Sequence, residues 1–105
     1  MNRLLLTAAV VEIRPIRYTP AGVPVLELAL EHESEVQEAG QARRVGFQAR
    51  AVALGDTAHL LADTPLGAQL EVEGFLAAAR MGSGRLVLHI QKAARSYPGS
   101  GSAIV

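Results

Sequence analysis

Residues 19–34 read Thr-Pro-Ala-Gly-Val-Pro-Val-Leu-Glu-Leu-Ala-Leu-Glu-His-Glu-Ser, a loop rich in Pro and Gly that runs directly into a strand pattern. Leu26, Leu28 and Leu30 fall on one face of an extended chain, and Glu27 falls on the other. An apolar period of two residues is typical of a strand with one buried and one exposed face. This stretch therefore predicts a half-buried strand that is entered from a turn-rich loop.

Four further segments carry strand patterns. In the segment at residues 42–54, Val45 and Phe47 alternate with Arg44 and Gln48, which predicts that Phe47 points into the core. Evenly spaced alternating strands with turn residues between them indicate an all-β barrel or sandwich. The five predicted strands cover residues 3–13, 23–32, 42–54, 68–77 and 85–94.

A short helix is predicted between the third and fourth strands, at residues 55–63. Asp56 or Thr57 is the expected N-cap, because short polar side chains there accept hydrogen bonds from free backbone N–H groups. Leu60 and Leu61 are placed to close one end of a barrel. The Pro and Gly that follow would end the helix.

The chain of 105 residues predicts one domain, residues 1–96, followed by a flexible tail at residues 97–105. One ambiguity concerns residues 77–79, three consecutive alanines that could extend a helix instead of a strand. The Gly-rich turn at residues 81–84 favours a hairpin there.

Charge and composition limit the possible functions. Ten acidic residues balance ten basic ones, and five of the acids lie within residues 27–38, so a neutral chain can still present one basic face. Nine of the ten basic residues are Arg, which contacts phosphates in a bidentate manner, although genome composition could equally explain the enrichment. No cysteine is present, which excludes disulfides and fits a cytoplasmic protein. No apolar run reaches the length of a membrane span, so no membrane association is expected.

No enzymatic site is predicted. His32 lies between Glu31 and Glu33, but on a strand both carboxylates point to the opposite face from the imidazole. The three histidines lack the spacing of metal ligands. We therefore expect no catalytic residues, no metal and no cofactor.

Several segments together resemble one known family. They are the stretch quoted above and residues 2–6 (Asn-Arg-Leu-Leu-Leu), 31–40, 73–75 (Glu-Gly-Phe) and 86–89 (Leu-Val-Leu-His). In this order they resemble the primosomal replication protein N (PriB) family, whose members are small OB-fold proteins that bind single-stranded DNA. The resemblance covers the whole chain except its C-terminal tail. It implies a five-stranded OB-fold barrel with a short helix between strands three and four.

The resemblance also implies a set of DNA-contacting positions. Arg17, Arg43, Arg80 and Arg85 occupy positions where the family carries such basic residues, and local chemistry adds Arg14, Tyr18 and Arg44. This chain departs from the family at two positions on the third strand, where aromatic residues are often found and where Gln41 and Gly46 stand instead. We therefore expect weaker base stacking and greater dependence on contacts between arginines and phosphates.

The function that the resemblance implies is that of an accessory protein in replication restart. Such a protein would bind single-stranded DNA as a cytoplasmic homodimer, bridge the DNA to the primosomal helicase and other primosome proteins, and stimulate the helicase. Two alternatives remain open. One is a general single-strand-binding (SSB) protein, against which the short tail without acidic residues argues. The other is an OB-fold adaptor that binds only protein, which the zero net charge and the missing aromatics favour.

Overall fold

The computed structural model describes residues 1–96, and the tail expected at residues 97–105 lies outside the described residues. Residues 1–96 form six strands and one helix. The elements are β1 (Leu4–Ile13), β2 (Arg17–Tyr18), β3 (Pro24–Glu38), β4 (Gln41–Leu54), α1 (Asp56–Leu61), β5 (Gln69–Ala78) and β6 (Leu86–Arg95). The helix is too short to cross a membrane, so no helix among these residues could do so.

The strands close into a barrel. The order β1-β5-β6-β4-β3 is completed by a pairing of β1 with β3, and the two-residue β2 adds to the far edge of β3. All pairings are antiparallel except β4 with β6, where Ala51–Ala53 lie beside Leu88–Ile90. A closed five-stranded barrel with α1 between its third and fourth strands is the arrangement of an OB-fold, which confirms the fold expected from the sequence.

The barrel interior follows the predicted alternation. Leu26, Leu28 and Leu30 are buried, and they pack with Val10 and Leu88 in one apolar cluster. Helix α1 covers one end of this cluster. It buries Ala58 and Leu61, whereas Leu60, which we expected to help close the barrel, is 71% exposed.

Outside the barrel, β3 and β4 continue as a two-stranded hairpin. We call residues 32–47 the hairpin arm; its strands pair only with each other among the described residues. Its turn, Ala39–Gly40, has positive φ at both residues (53° and 79°), the conformation that matches the twist of a two-residue hairpin. No residue of the arm is buried. The arm therefore adds surface and no core.

Phe47 is a second residue, after Leu60, for which the predicted environment is wrong. It lies on the same face as the buried Ala51, as the alternation predicts, but four residues further from the barrel. Its side chain is 43% exposed, and its ring lies 5.0 Å from that of its cross-strand partner His32. Alternation determines which face a residue occupies, whereas burial needs a second layer, which the barrel does not supply at this point.

Two local predictions also need correction. Helix α1 is capped by Gly55, with φ of 71° and no side-chain hydrogen bond, so neither Asp56 nor Thr57 is the N-cap. The short strand β2 was not predicted, because two residues are too few to show a period. The alanines at residues 77–79 continue strand β5 as far as Ala78, which resolves that ambiguity in favour of a strand.

Candidate nucleic-acid interface

A surface groove about 360 Å³ in volume lies on the outside of the barrel. Its charged lining consists of Arg17 from β2, Glu27 from β3, Arg50 from β4 and Arg85, which immediately precedes β6. We call these four residues the arginine groove. Three cations face one anion, so the groove favours an anionic ligand.

Strand register explains why these side chains meet. Arg50 pairs with Ala29 and Val52 pairs with Glu27, so Arg50 and Glu27 share the outer face of β3 and β4. Arg17 pairs with Val25 at the far edge of β3, within reach of Glu27. Residues distant in sequence therefore lie side by side because three strands are in register.

Ion pairs hold the arginines in place. Glu27 accepts a hydrogen bond from Arg17 Nε at 3.1 Å and lies 4.0 Å from Arg50 Nη2. Glu12 lies 3.9 Å from Arg50 Nη1 and 3.3 Å from Arg14 Nε. All these groups are solvent-accessible, so each pair contributes little to stability. The pairs restrain the guanidinium groups and leave other N–H donors available for phosphate oxygens.

Arg85 reaches the groove from a structured loop. The Ala79 N–H donates to the Arg85 carbonyl at 2.9 Å, and the Arg85 N–H donates to Ser83 Oγ at 2.9 Å. Arg80 lies at the start of the same loop, where its carbonyl accepts from the Ser83 N–H. Neither arginine forms an ion pair with any described residue. Both guanidinium groups are therefore accessible to a ligand, although only Arg85 lines the groove.

The remaining predicted residues lie elsewhere. Arg14 is joined to the groove only through Glu12. Tyr18 follows Arg17 on a strand and so points to the other side, where its ring lies 6.3 Å from that of His59 on α1.

Arg43 and Arg44 belong to the hairpin arm. Arg43 Nη1 donates to Glu38 at 2.7 Å, and Arg44 Nη2 lies 3.8 Å from Glu33. The arm carries three glutamates, Glu33, Glu35 and Glu38, against these two arginines. Its surface is therefore less favourable to an anion than the arginine groove.

Sequence reasoning missed Arg50, which lies in the middle of the groove. The sequence did indicate its exposure, because Arg50 falls on the same face of the predicted third strand as Arg44 and Gln48. The register that brings Arg50 beside Glu27 could not be obtained from the strand by itself, since register is a property of a pair of strands.

His32 has structural partners. Its Nδ1 lies 2.6 Å from the Thr7 carbonyl and its Nε2 lies 2.8 Å from Ser34 Oγ. The flanking Glu31 and Glu33 occupy the opposite face of β3, as the alternation predicted. Among residues 1–96, no group of three or more His, Asp or Glu side chains is placed to hold a metal ion.

The barrel and its arginine groove define a small OB-fold protein with a cationic cleft, and known proteins resemble the chain in sequence and fold. The model of a family described as "another single-strand binding protein family" matches residues 2–92. The replication restart protein PriB of Bordetella pertussis is 59% identical over 95 residues, which cover 90% of this chain and 89% of that protein. PriB of Nitrosomonas europaea is 36% identical over 90 residues, which cover 86% and 83%.

A solved structure agrees with these relatives. PriB from Ralstonia solanacearum superposes with a TM-score of 0.84 at 37% identity and covers 92% of this chain and 99% of its own. The chain therefore belongs to the replication restart protein PriB family of single-strand-binding proteins, as its sequence led us to expect.

Proposed function

We propose that this protein binds single-stranded DNA without catalysis and acts in replication restart. The arginine groove is the observation that carries the proposal, because guanidinium groups at Arg17, Arg50 and Arg85 suit successive phosphates of one strand. The groove lies against β3 and β4 and beside the loops before β3 and before β6, which is where OB-folds bind oligonucleotides. The names and similarity of the PriB relatives support the same role.

A salt titration tests DNA binding directly. Anisotropy of a labelled oligo-dT is measured from 50 to 300 mM salt, and log K against log salt should fall with a slope of about −0.7 for each phosphate contacted. Two or three contacts at the groove predict a slope of roughly −1.4 to −2.1. If no binding occurs even at low salt, the protein is an adaptor that binds only protein, and the DNA-binding proposal is wrong.

We propose further that the protein acts as a homodimer. The outward face of β1 carries Leu5, with 63% of its surface accessible, and the half-buried Ala9, with Thr7 between them. One edge of β1 pairs with β5 along Leu4–Ala9, and the other pairs with β3 only along Ala9–Ile13. A second copy would cover the outward face of β1 by side-chain packing. A domain of this size buries only about two-thirds of its surface on folding, and dimerisation would add burial.

Light scattering at micromolar concentration tests the dimer. The parent should have about twice the chain mass, and Leu5→Glu should have the mass of one chain with the fold intact. Leu66→Glu is the matched control, since Leu66 is exposed to the same degree (65%) in the segment after α1. A monomeric parent, or two variants that behave alike, would contradict this interface.

In the cytoplasm, the protein would bridge DNA to the primosomal helicase and other primosome proteins and stimulate the helicase. This step rests on the family membership. Unwinding of a forked duplex by that helicase should accelerate when the protein is added. The Arg50→Gln/Arg85→Gln variant should stimulate the helicase less, because its affinity for single-stranded DNA is lower. Equal stimulation by parent and variant would show that stimulation does not need the groove.

A further inference from the structure

A second cleft adjoins the arginine groove and has different chemistry. It is about 290 Å³ in volume and lies on the outer surface of β4, β5 and β6, beside the start of α1. We call it the aromatic cleft. Its outward-facing lining consists of Val52, Leu54, Thr57, Phe75, His89 and Gln91. No acidic side chain, Arg or Lys is among these residues.

Two aromatic rings form one wall of this cleft. Phe75 and His89 are directly paired across β5 and β6, and their rings are stacked with centroids 4.8 Å apart and an angle of 9° between the planes. The barrel core instead contains Leu88 and Ile90, which flank His89, and Leu76, which follows Phe75, packs against that core. The two rings therefore lie on the outside of the sheet and remain partly exposed.

The backbone beside these rings is specialised. The ladder between β5 and β6 is irregular at Glu73 and Gly74, immediately before Phe75. A Cβ at position 74 would collide with the backbone carbonyl of His89, so only glycine permits this close approach. The irregularity thus holds the strand that carries Phe75 tightly against the strand that carries His89.

The aromatic cleft is continuous with the arginine groove. Val52 and His89 line both, because Val52 pairs with His89 across the parallel strands β4 and β6. A single strand of DNA whose phosphates contact these arginines would thus place a neighbouring nucleotide over the aromatic cleft. The position is relevant because the hairpin arm carries Gln41 and Gly46 at two positions where the family often has aromatic residues, which leaves Phe47 as the one Phe, Tyr or Trp of the arm.

The chemistry of the cleft suits an uncharged, planar group. Apolar and aromatic walls surround the Gln91 side-chain amide and the Thr57 hydroxyl, and this hydroxyl donates to the backbone carbonyl of Gln91 at 3.4 Å. A nucleobase has a stacking face and an edge with both donors and acceptors, and an amide can satisfy either kind. We propose that the aromatic cleft binds one unstacked nucleobase of a single strand whose phosphates lie in the arginine groove. This inference rests on the proposed DNA binding.

The test separates the base from its phosphate. Two competitors of equal length and charge, oligo-dT and the same strand with abasic sites, are titrated against the parent, Phe75→Leu and Gln91→Ala. The parent should prefer oligo-dT, and one stacked base corresponds to about a 5- to 150-fold preference. Both variants should reduce this preference and leave affinity for the abasic strand unchanged. Gln91 is exposed, so its variant remains informative if Phe75→Leu fails to fold.

A fluorescent reporter gives an independent reading, since the chain contains no Trp. Phe75→Trp places a single indole in the cleft, and Phe47→Trp places one on the hairpin arm as a matched control. Oligo-dT should quench the first more strongly than the second.

The outcomes distinguish this inference from the proposed function. If the parent binds neither competitor, DNA binding itself is absent and both proposals fall. If the parent binds both strands equally, or Phe75→Leu weakens both equally, DNA binding stands and the base site is wrong. If the Phe75→Leu and Gln91→Ala variants keep the parent's preference for oligo-dT but no longer stimulate the helicase, the cleft is a protein-docking surface and the inference is wrong.

Discussion

The arginine groove and the hairpin arm are built on the same two strands, yet they differ in almost every physical respect. Both use β3 and β4, where side chains alternate in the same way, although the groove also takes Arg17 from β2 and Arg85 from the loop before β6. At the barrel end, the inner face is buried against β1 and β6 and the outer face carries Arg50 beside Glu27. In the arm, both faces meet solvent, and acids outnumber arginines. One continuous pattern thus supports a core in one region and only a surface in the other.

The largest expected difference between the two regions is in stability. Leu28→Ala should lower the free energy of unfolding by about 2–5 kcal/mol, because Leu28 is fully buried and its loss leaves a cavity. Phe47→Ala should cost only about 0.5–1.5 kcal/mol, the range for an aromatic contact such as that with His32. Urea unfolding followed by circular dichroism measures both. Equal losses would mean that a further layer covers Phe47 in solution.

Next in size is the difference in DNA binding. Arg50→Gln/Arg85→Gln and Arg43→Gln/Arg44→Gln each remove two positive charges, the first pair from the groove and the second from the arm. Two lost phosphate contacts correspond to about a 25-fold loss of oligo-dT affinity at 0.1 M salt and a slope shallower by about 1.4. We expect this loss for the groove pair and less than about threefold for the arm pair, whose arginines face glutamates. Similar losses for both would place the arm within the DNA path.

A smaller effect is expected from adding an aromatic residue to the arm. A Cβ at Gly46 would have ordinary contacts, with the His32 carbonyl at 3.7 Å and Glu33 Cγ at 3.9 Å, so Gly46→Trp should fold. One stacked base is worth about 1–3 kcal/mol, but Glu33 lies directly across the strand pair and would repel a phosphate.

We therefore expect Gly46→Trp to tighten oligo-dT binding about two- to fivefold, well below the full value of one stacked base. Combining it with Glu33→Gln should increase the gain. The measurement is the anisotropy titration at fixed salt, with Glu33→Gln by itself as the control. If the Gly46→Trp/Glu33→Gln variant binds oligo-dT no better than Glu33→Gln, the bound DNA does not reach the arm.

The smallest expected effect concerns the ion pair between Arg3, which precedes β1, and Glu73 on β5. Arg3 Nε donates a 2.9 Å hydrogen bond to Glu73, which holds the pKa of that carboxyl below its ordinary value of 4.5. A lowered folded-state pKa means that the pair stabilises the fold above about pH 4.5, and that this stabilisation is lost as pH falls through the folded-state value.

Arg3→Gln should raise the pKa of Glu73 towards its ordinary value, as followed by NMR titration of its side chain. The parent's small stability advantage should shrink as the solution is acidified. Titration of Glu73 at the same pH in parent and variant would show that Arg3 is not the main cause of the shift, and would leave Lys92 as the next candidate.

Alternation predicted the faces correctly because it is a local property. Leu26, Leu28 and Leu30 point inward and Glu27 points outward, since successive side chains on any strand point to opposite sides. The helix at residues 55–63 was also placed correctly to within two residues, from its own composition and the Pro and Gly after it. The family resemblance supplied the strand connectivity, which no single strand contains.

The sequence by itself thus determined the five barrel strands, their faces, the short helix and the family, but not β2 or the continuation of β3 beyond residue 32 to Glu38. Only the tertiary structure brought Arg17, Arg50 and Arg85 to one groove, stacked Phe75 on His89, and left Phe47 outside the barrel. The physical reason is register. Whether two side chains meet, or one is covered, depends on how separate strands align and where the barrel ends, and these are relations between segments far apart in the chain.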